Sequence, residues 1–112
     1  MAGLTVKSYE VTPEIIKNIN YEAWPVTIKS ENVDAGSDGR KIMKAGTPIT
    51  AAGVESNDEN AKGLLLQDVD VTDGDVDGAR LVVGTVWADK IAANGITLDP
   101  DAIAALPRIS FE

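Results

Sequence analysis

Short apolar runs, each stopped by a glycine turn, dominate the middle of this chain from Lys41 to Trp87. Gly63–Leu66 and Leu81–Val83 are the strongest runs, and Gly46, Gly53, Gly74, Gly78 and Gly84 punctuate them. The Gly63–Val71 stretch (GLLLQDVDV) predicts a strand. Its three leucines predict burial on both faces, and the Asp68–Val71 alternation predicts one wet face further on. Thr72–Gly78 predicts a hairpin turn into a strand over Ala79–Trp87. Lys41–Met43 and Ile49–Thr50 predict short strands joined by the Lys44–Pro48 turn. Val54–Lys62 (VESNDENAK) is polar and predicts a mobile loop.

The flanks are mixed. Leu4–Val11 (LTVKSYEV) predicts a strand or extended arm. Thr12-Pro13-Glu14 carries the signals of a helix start, with Ile15, Ile16 and Ile19 on one apolar face and an end near Asn18–Asn20. Pro25 interrupts any continuation, and Val26–Ser30 predicts a second strand. Ile91–Gly95 closes on an Asn-Gly turn signal before a strand over Ile96–Leu98. Asp99-Pro100-Asp101 predicts a capped helix through Leu106, and Pro107 a final extended segment. The pattern as a whole predicts a mainly β fold with two short helices, not alternating βαβ units. It is one domain, with residues 1–40 as arm, short helix and strand and residues 41–112 as the β-rich core.

Composition narrows the chemistry. The 112 residues include no histidine and no cysteine. The commonest general base, the commonest metal ligands and the only thiol nucleophile are therefore missing. No catalytic residue, cofactor or metal ligand is expected. The net charge of −8 arises entirely in residues 45–112, which hold four basic and twelve acidic residues. Such a surface repels nucleic acid and anionic membranes. No apolar run approaches the ~20 residues of a membrane span, and MAGLTVKSYE lacks a signal-peptide core. A cytoplasmic origin is expected.

Asp73–Gly78 (DGDVDG) matches the first half of a calcium loop, D-x-D-x-D-G. Counted from Asp73, the position that demands a bidentate glutamate is Gly84, and Arg80 stands where an apolar residue belongs. Turn chemistry explains the motif better. The alternating Asp68, Asp70, Asp73, Asp75 and Asp77 read as a solvated face, not as paired glycosidase carboxylates. Trp24, Pro25 and Trp87 have two readings, core packing or an interface anchor.

Around Ala61–Val86, together with the Lys44–Pro48 turn before it, a further pattern emerges. A short strand and a Lys-Ala-Gly-Thr-Pro turn lead to Ala-Lys-Gly-Leu-Leu-Leu, then an acidic turn and a strand closing on Val-Val-Gly-Thr-Val. This resembles the small head decoration proteins of tailed bacteriophages, the phage lambda head-protein D type, over roughly Lys41 to Ile91. The resemblance implies a β-clip-like bent ribbon or incomplete barrel. It also implies a homotrimer that clamps the major capsid protein at three-fold sites of the expanded head, on the outer surface of the virion. An arm docking through Leu4, Val6, Tyr9 and Val11 follows in part from that family. The first 40 residues depart from the family's Pro/Thr/Ala-rich arm. The competing readings are a small calcium- or carbohydrate-binding module centred on Asp73–Asp77 and a subdomain of an enzyme.

Overall fold

The computed structural model describes residues 14–18 and 20–112. These form a mainly β fold of seven strands with two short α-helices. In chain order they are β1 (Glu22–Ile28), β2 (Ile42–Met43), β3 (Pro48–Ile49), β4 (Gly63–Leu65), β5 (Val69–Asp70), β6 (Val76–Val86), α1 (Ala88–Ala93), α2 (Pro100–Ala104) and β7 (Ile109–Phe111). The predicted class, a β-rich fold with two small helices, is the observed one.

The long strand β6 organises the molecule. β1 runs antiparallel to it, pairing Glu22–Ile28 with Val83–Val76. β4 pairs antiparallel on its other side at Arg80 and Leu81, and β7 pairs parallel at Gly84–Val86. β3 extends the sheet beyond β4, giving the order β1-β6-β4-β3. β2 and β5 form a separate two-stranded ladder.

Two cores result. Leu64, Leu66, Leu81, Val86, Ile91, Ala102 and Leu106 pack on one side of the sheet, where the helices lie. Leu65, Val26, Ile28, Ile49, Met43, Val69 and Val71 pack on the other, beneath the β2–β5 ladder. The leucine run thus feeds both faces, as strand alternation requires.

Several segments differ from the sequence expectation. No helix forms over Glu14–Asn18. Instead Ile16 bridges Val86, the Trp87 amide donates to the Ile15 carbonyl at 2.8 Å, and the Lys17 amide donates to the Thr85 carbonyl at 2.9 Å. Ile15 and Ile16 are both buried by this pairing, so long-range burial overrides the local helix signal. Thr12, Pro13 and Ile19 lie outside the described residues.

Pro25 sits within β1 and does not precede it. The Ala79 carbonyl, opposite Pro25, accepts from the Leu66 amide at 2.9 Å on the far side of β6. The Pro25 nitrogen therefore faces the free edge, where a missing donor costs little.

The predicted Gly63–Val71 strand divides into β4 and β5, which join different ladders. The acidic turn is consequently a corner between two sheets and not a hairpin. The predicted strand over Ile96–Leu98 is absent, and helix α1 precedes it. Gly95, at φ +84°, follows that helix, and its amide donates to Ala92 at 2.9 Å. The Asn-Gly signal is thus a helix C-terminus. At α2 the expected cap is present, with the Asp99 carboxylate accepting from the Asp101 amide at 2.9 Å.

The polar 54–62 loop is tied down. The Asn57 side chain donates to the Thr97 carbonyl and accepts from the Asp99 amide, both at 2.8 Å.

Candidate functional site

The acidic row is the first place to look for chemistry, and most of its carboxylates are engaged inside the fold. Asp68 accepts from the Ala45 amide at 2.8 Å and the Lys44 ammonium at 3.2 Å. Asp70 accepts from the Thr72 hydroxyl, the Thr72 amide and the Arg40 guanidinium. Those bonds hold its carboxyl down at about 2. Asp75 accepts from the Ser30 amide and Asp77 from the Thr27 hydroxyl, each at 2.9 Å.

The last two contacts fasten the acidic corner to β1 and to the short 3₁₀ turn Ser30–Asn32 that follows it. They engage two of the three carboxylates that a calcium loop at Asp73–Asp77 would use. Among the described residues, no group of three acidic side chains converges as a metal site. Beside this corner, a shallow concavity of about 380 Å³ is lined by Pro25, Val26, Thr27, Lys29, Ala51, Ala52 and Asp77. Among the described residues that line it, the one carboxylate is that of Asp77, bonded to Thr27. Paired acid and base groups are therefore not assembled there.

The candidate interface residues have different fates. Trp24 is 52% exposed, so the core-packing reading fails for it. Pro25 is also exposed. Trp87 is half-buried, with the Lys17 ammonium 5.1 Å from its ring centroid. Lys17 also pairs with Glu112, whose carboxyl is thereby held below the ordinary range. Trp87 is thus part of a clasp between the two ends of the described chain. Leu4, Val6, Tyr9 and Val11 lie outside the described residues.

The exposed Trp24 has a neighbour that the sequence did not single out as a site residue. Trp24 stands directly opposite Arg80 on β6, so their side chains share a face. Leu65 stands opposite Arg80 on the other side, fully buried. The row Trp24–Arg80–Leu65 therefore runs from solvent into the second core. Arg80 lies flat because Gly63 has no side chain. A Cβ there would come within 2.5 Å of Arg80 Cγ. Arg80 Nη1 donates to the Lys62 carbonyl at 2.7 Å, while its buried Nε has no partner among the described residues. Pairing of Trp24 with Arg80 depends on strand register, and no local sequence signal reveals it.

None of the described helices is long and apolar enough to cross a membrane. Set against known family models, curated proteins and solved structures, the chain matches none.

Proposed function

We propose that this chain is a non-enzymatic structural protein of a phage virion, decorating the outer surface of the expanded capsid as trimers at three-fold sites. The observation that carries the reading is a contrast between two classes of side chain. Asp68, Asp70, Asp75 and Asp77 are turned to internal hydrogen bonds, whereas Trp24 stands half-exposed on the outermost strand. Engaged carboxylates suit a stable scaffold. An exposed tryptophan on a rigid strand suits contact with another protein.

The likeness of the Lys41–Ile91 strands and glycines to head decoration proteins supports the same reading. So does the net charge of −8, which disfavours nucleic acid and anionic membranes as partners. In this role the chain contributes binding free energy and no chemistry. Preference for the expanded shell stabilises that state by mass action. The strand-forming residues Leu4, Val6, Tyr9 and Val11 act as a docking arm. Manufacture in the host cytoplasm precedes assembly on the head.

The test uses heads assembled from the major capsid protein encoded beside this gene, purified before and after expansion. The purified chain is expected to co-sediment stoichiometrically with expanded heads alone. Failure to sediment with expanded heads, or the lack of a capsid gene in the neighbourhood, overturns the reading.

A further inference from the structure

Asn94-Gly95 is the one Asn-Gly pair in the sequence, and its chemistry goes beyond turn formation. An asparagine side chain can be attacked at Cγ by the backbone nitrogen of the next residue. Glycine leaves that nitrogen uncrowded. The other asparagines precede Ile19, Tyr21, Val33, Asp58 and Ala61, whose side chains obstruct the same approach. In the reaction the Gly95 nitrogen gives its proton to solvent and bonds to Cγ. The side-chain nitrogen takes up a proton and leaves as ammonia. Water then opens the cyclic imide. Attack at Cγ leaves aspartate, and attack at the main-chain carbonyl leaves isoaspartate. Water is the only co-reactant.

The native fold opposes this step. Asn94 ends α1 at φ −83° and ψ 6°. At that ψ the Gly95 nitrogen is turned away from the Asn94 side chain, and ring closure needs rotation through more than a right angle. Three hydrogen bonds resist the rotation. The Gly95 amide donates to the Ala92 carbonyl at 2.9 Å and the Ile96 amide to the Ile91 carbonyl at 3.4 Å. Such a pair closes a helix on a left-handed glycine, and Gly95 supplies that conformation at φ +84°. Asn94 Nδ2 donates to the Ala45 carbonyl at 3.0 Å, which pins the leaving group. Beneath them Ile91 is buried against Gly46, where a Cβ would come within 2.8 Å of Ile91 Cγ1. Reaction therefore waits for the last turn of α1 to unwind.

The product does not restore these ties. A carboxylate at position 94 offers the Ala45 carbonyl no donor. It also stands at a helix C-terminus, where negative charge is unfavourable. Asn94 lines a concavity of about 270 Å³ together with Asp34 and Glu55, so the new charge joins two of its own sign. Isoaspartate further lengthens the main chain by one methylene, where Gly95 closes the helix. Conversion thus loosens the joint between α1 and the Lys44–Pro48 turn.

We propose that Asn94 is a deamidation site, held shut by the native fold and opened when the last turn of α1 unwinds, and that its conversion weakens the contacts that suppress it. The proposal is independent of what the chain binds.

The experiment incubates the full-length protein at physiological temperature and mildly alkaline pH, folded in buffer and unfolded in urea. Peptide mapping by mass spectrometry follows aspartate and isoaspartate at each asparagine. In urea, conversion is expected to fall first on Asn94. In the folded chain it is expected to run at least about tenfold more slowly, the signature of a site reached through local opening. The converted fraction, separated by anion exchange, and the variant Asn94→Asp are each expected to melt below the unmodified protein. Equal rates at Asn94 in the folded and unfolded chain overturn the closed site. Faster conversion at another asparagine in urea overturns its assignment to Asn94. Unchanged melting of both the converted fraction and Asn94→Asp overturns the coupling between conversion and the α1 joint.

Discussion

Leu64 and Leu65 are adjacent in sequence, both fully buried, and point into different cores. Leu64 lies opposite Leu81 and packs toward the helices, whereas Leu65 lies opposite Arg80 and packs under the β2–β5 ladder. Each core is small, so each leucine carries a large share of its cluster. Leu64→Ala and Leu65→Ala are each expected to cost about 2–5 kcal/mol in urea denaturation. An unchanged midpoint for Leu65→Ala would show that the second core is open and not closed.

Gly53 and Gly39 share nearly the same backbone conformation, φ +83° and +82°, in different surroundings. At Gly39 a Cβ meets nothing within 4 Å, whereas at Gly53 it meets the Thr27 carbonyl oxygen at 2.5 Å. Gly39→Ala is therefore expected to cost only the left-handed strain, roughly 1–2 kcal/mol. Gly53→Ala adds a clash with main chain that cannot rotate away, a further ~1–3 kcal/mol. Equal stability losses in the two variants would refute the close approach of this loop to β1.

What the sequence reveals and conceals follows from the range of the forces involved. The α2 start is legible because its signal is local: Asp99 caps the amide of Asp101 two residues on, and Pro100 supplies the first helical φ. The two-sided burial of Leu64–Leu66 is legible because strand parity is also local. Glu14–Asn18 misleads because its pairing partner is at Thr85–Trp87, remote in sequence. Helix α1 is hidden for another reason. It spans six residues, buries Ile91 alone, and begins at Trp87 with no side-chain cap. Six residues are too few to show a helical period. Trp24 is recognisable as a candidate, but its exposure depends on which part of the sheet the β2–β5 ladder covers, and its partner Arg80 on the register of β1 against β6.

The acidic corner gives a direct test of the competing ion-binding reading. Asp75 and Asp77 accept from Ser30 and Thr27, and Gly84 occupies the position of the bidentate calcium ligand. Reorienting these carboxylates toward an ion would break the ties between the corner and the β1 end of the chain. Melting curves in EDTA and in millimolar calcium are expected to superimpose. A calcium-induced rise of several degrees would reverse the assignment of Asp73–Asp77 as turn residues.

Asp70 sets the behaviour in acid. Its carboxyl is held at about 2, first by the Thr72 hydroxyl, then by the Thr72 amide and the Arg40 guanidinium. In the unfolded chain the same group titrates near 3.9. Between those values the unfolded state binds a proton that the folded state refuses, so lowering the pH favours unfolding. The contribution is complete above about pH 4 and is lost as the pH falls toward 2. Asp58, held down by Ser56 and Asn60, and Glu112, held down by Lys17, act in the same direction. Asp70→Asn removes the titrating group, along with the Arg40 ion pair. It is expected to lower stability at pH 7 and to flatten the fall between pH 4 and 2 relative to wild type. Denaturant midpoints measured at half-unit pH steps check this. An acid limb of unchanged steepness in Asp70→Asn would mean that other carboxylates carry the whole pH dependence and that the Thr72–Asp70–Arg40 cluster does not form in solution.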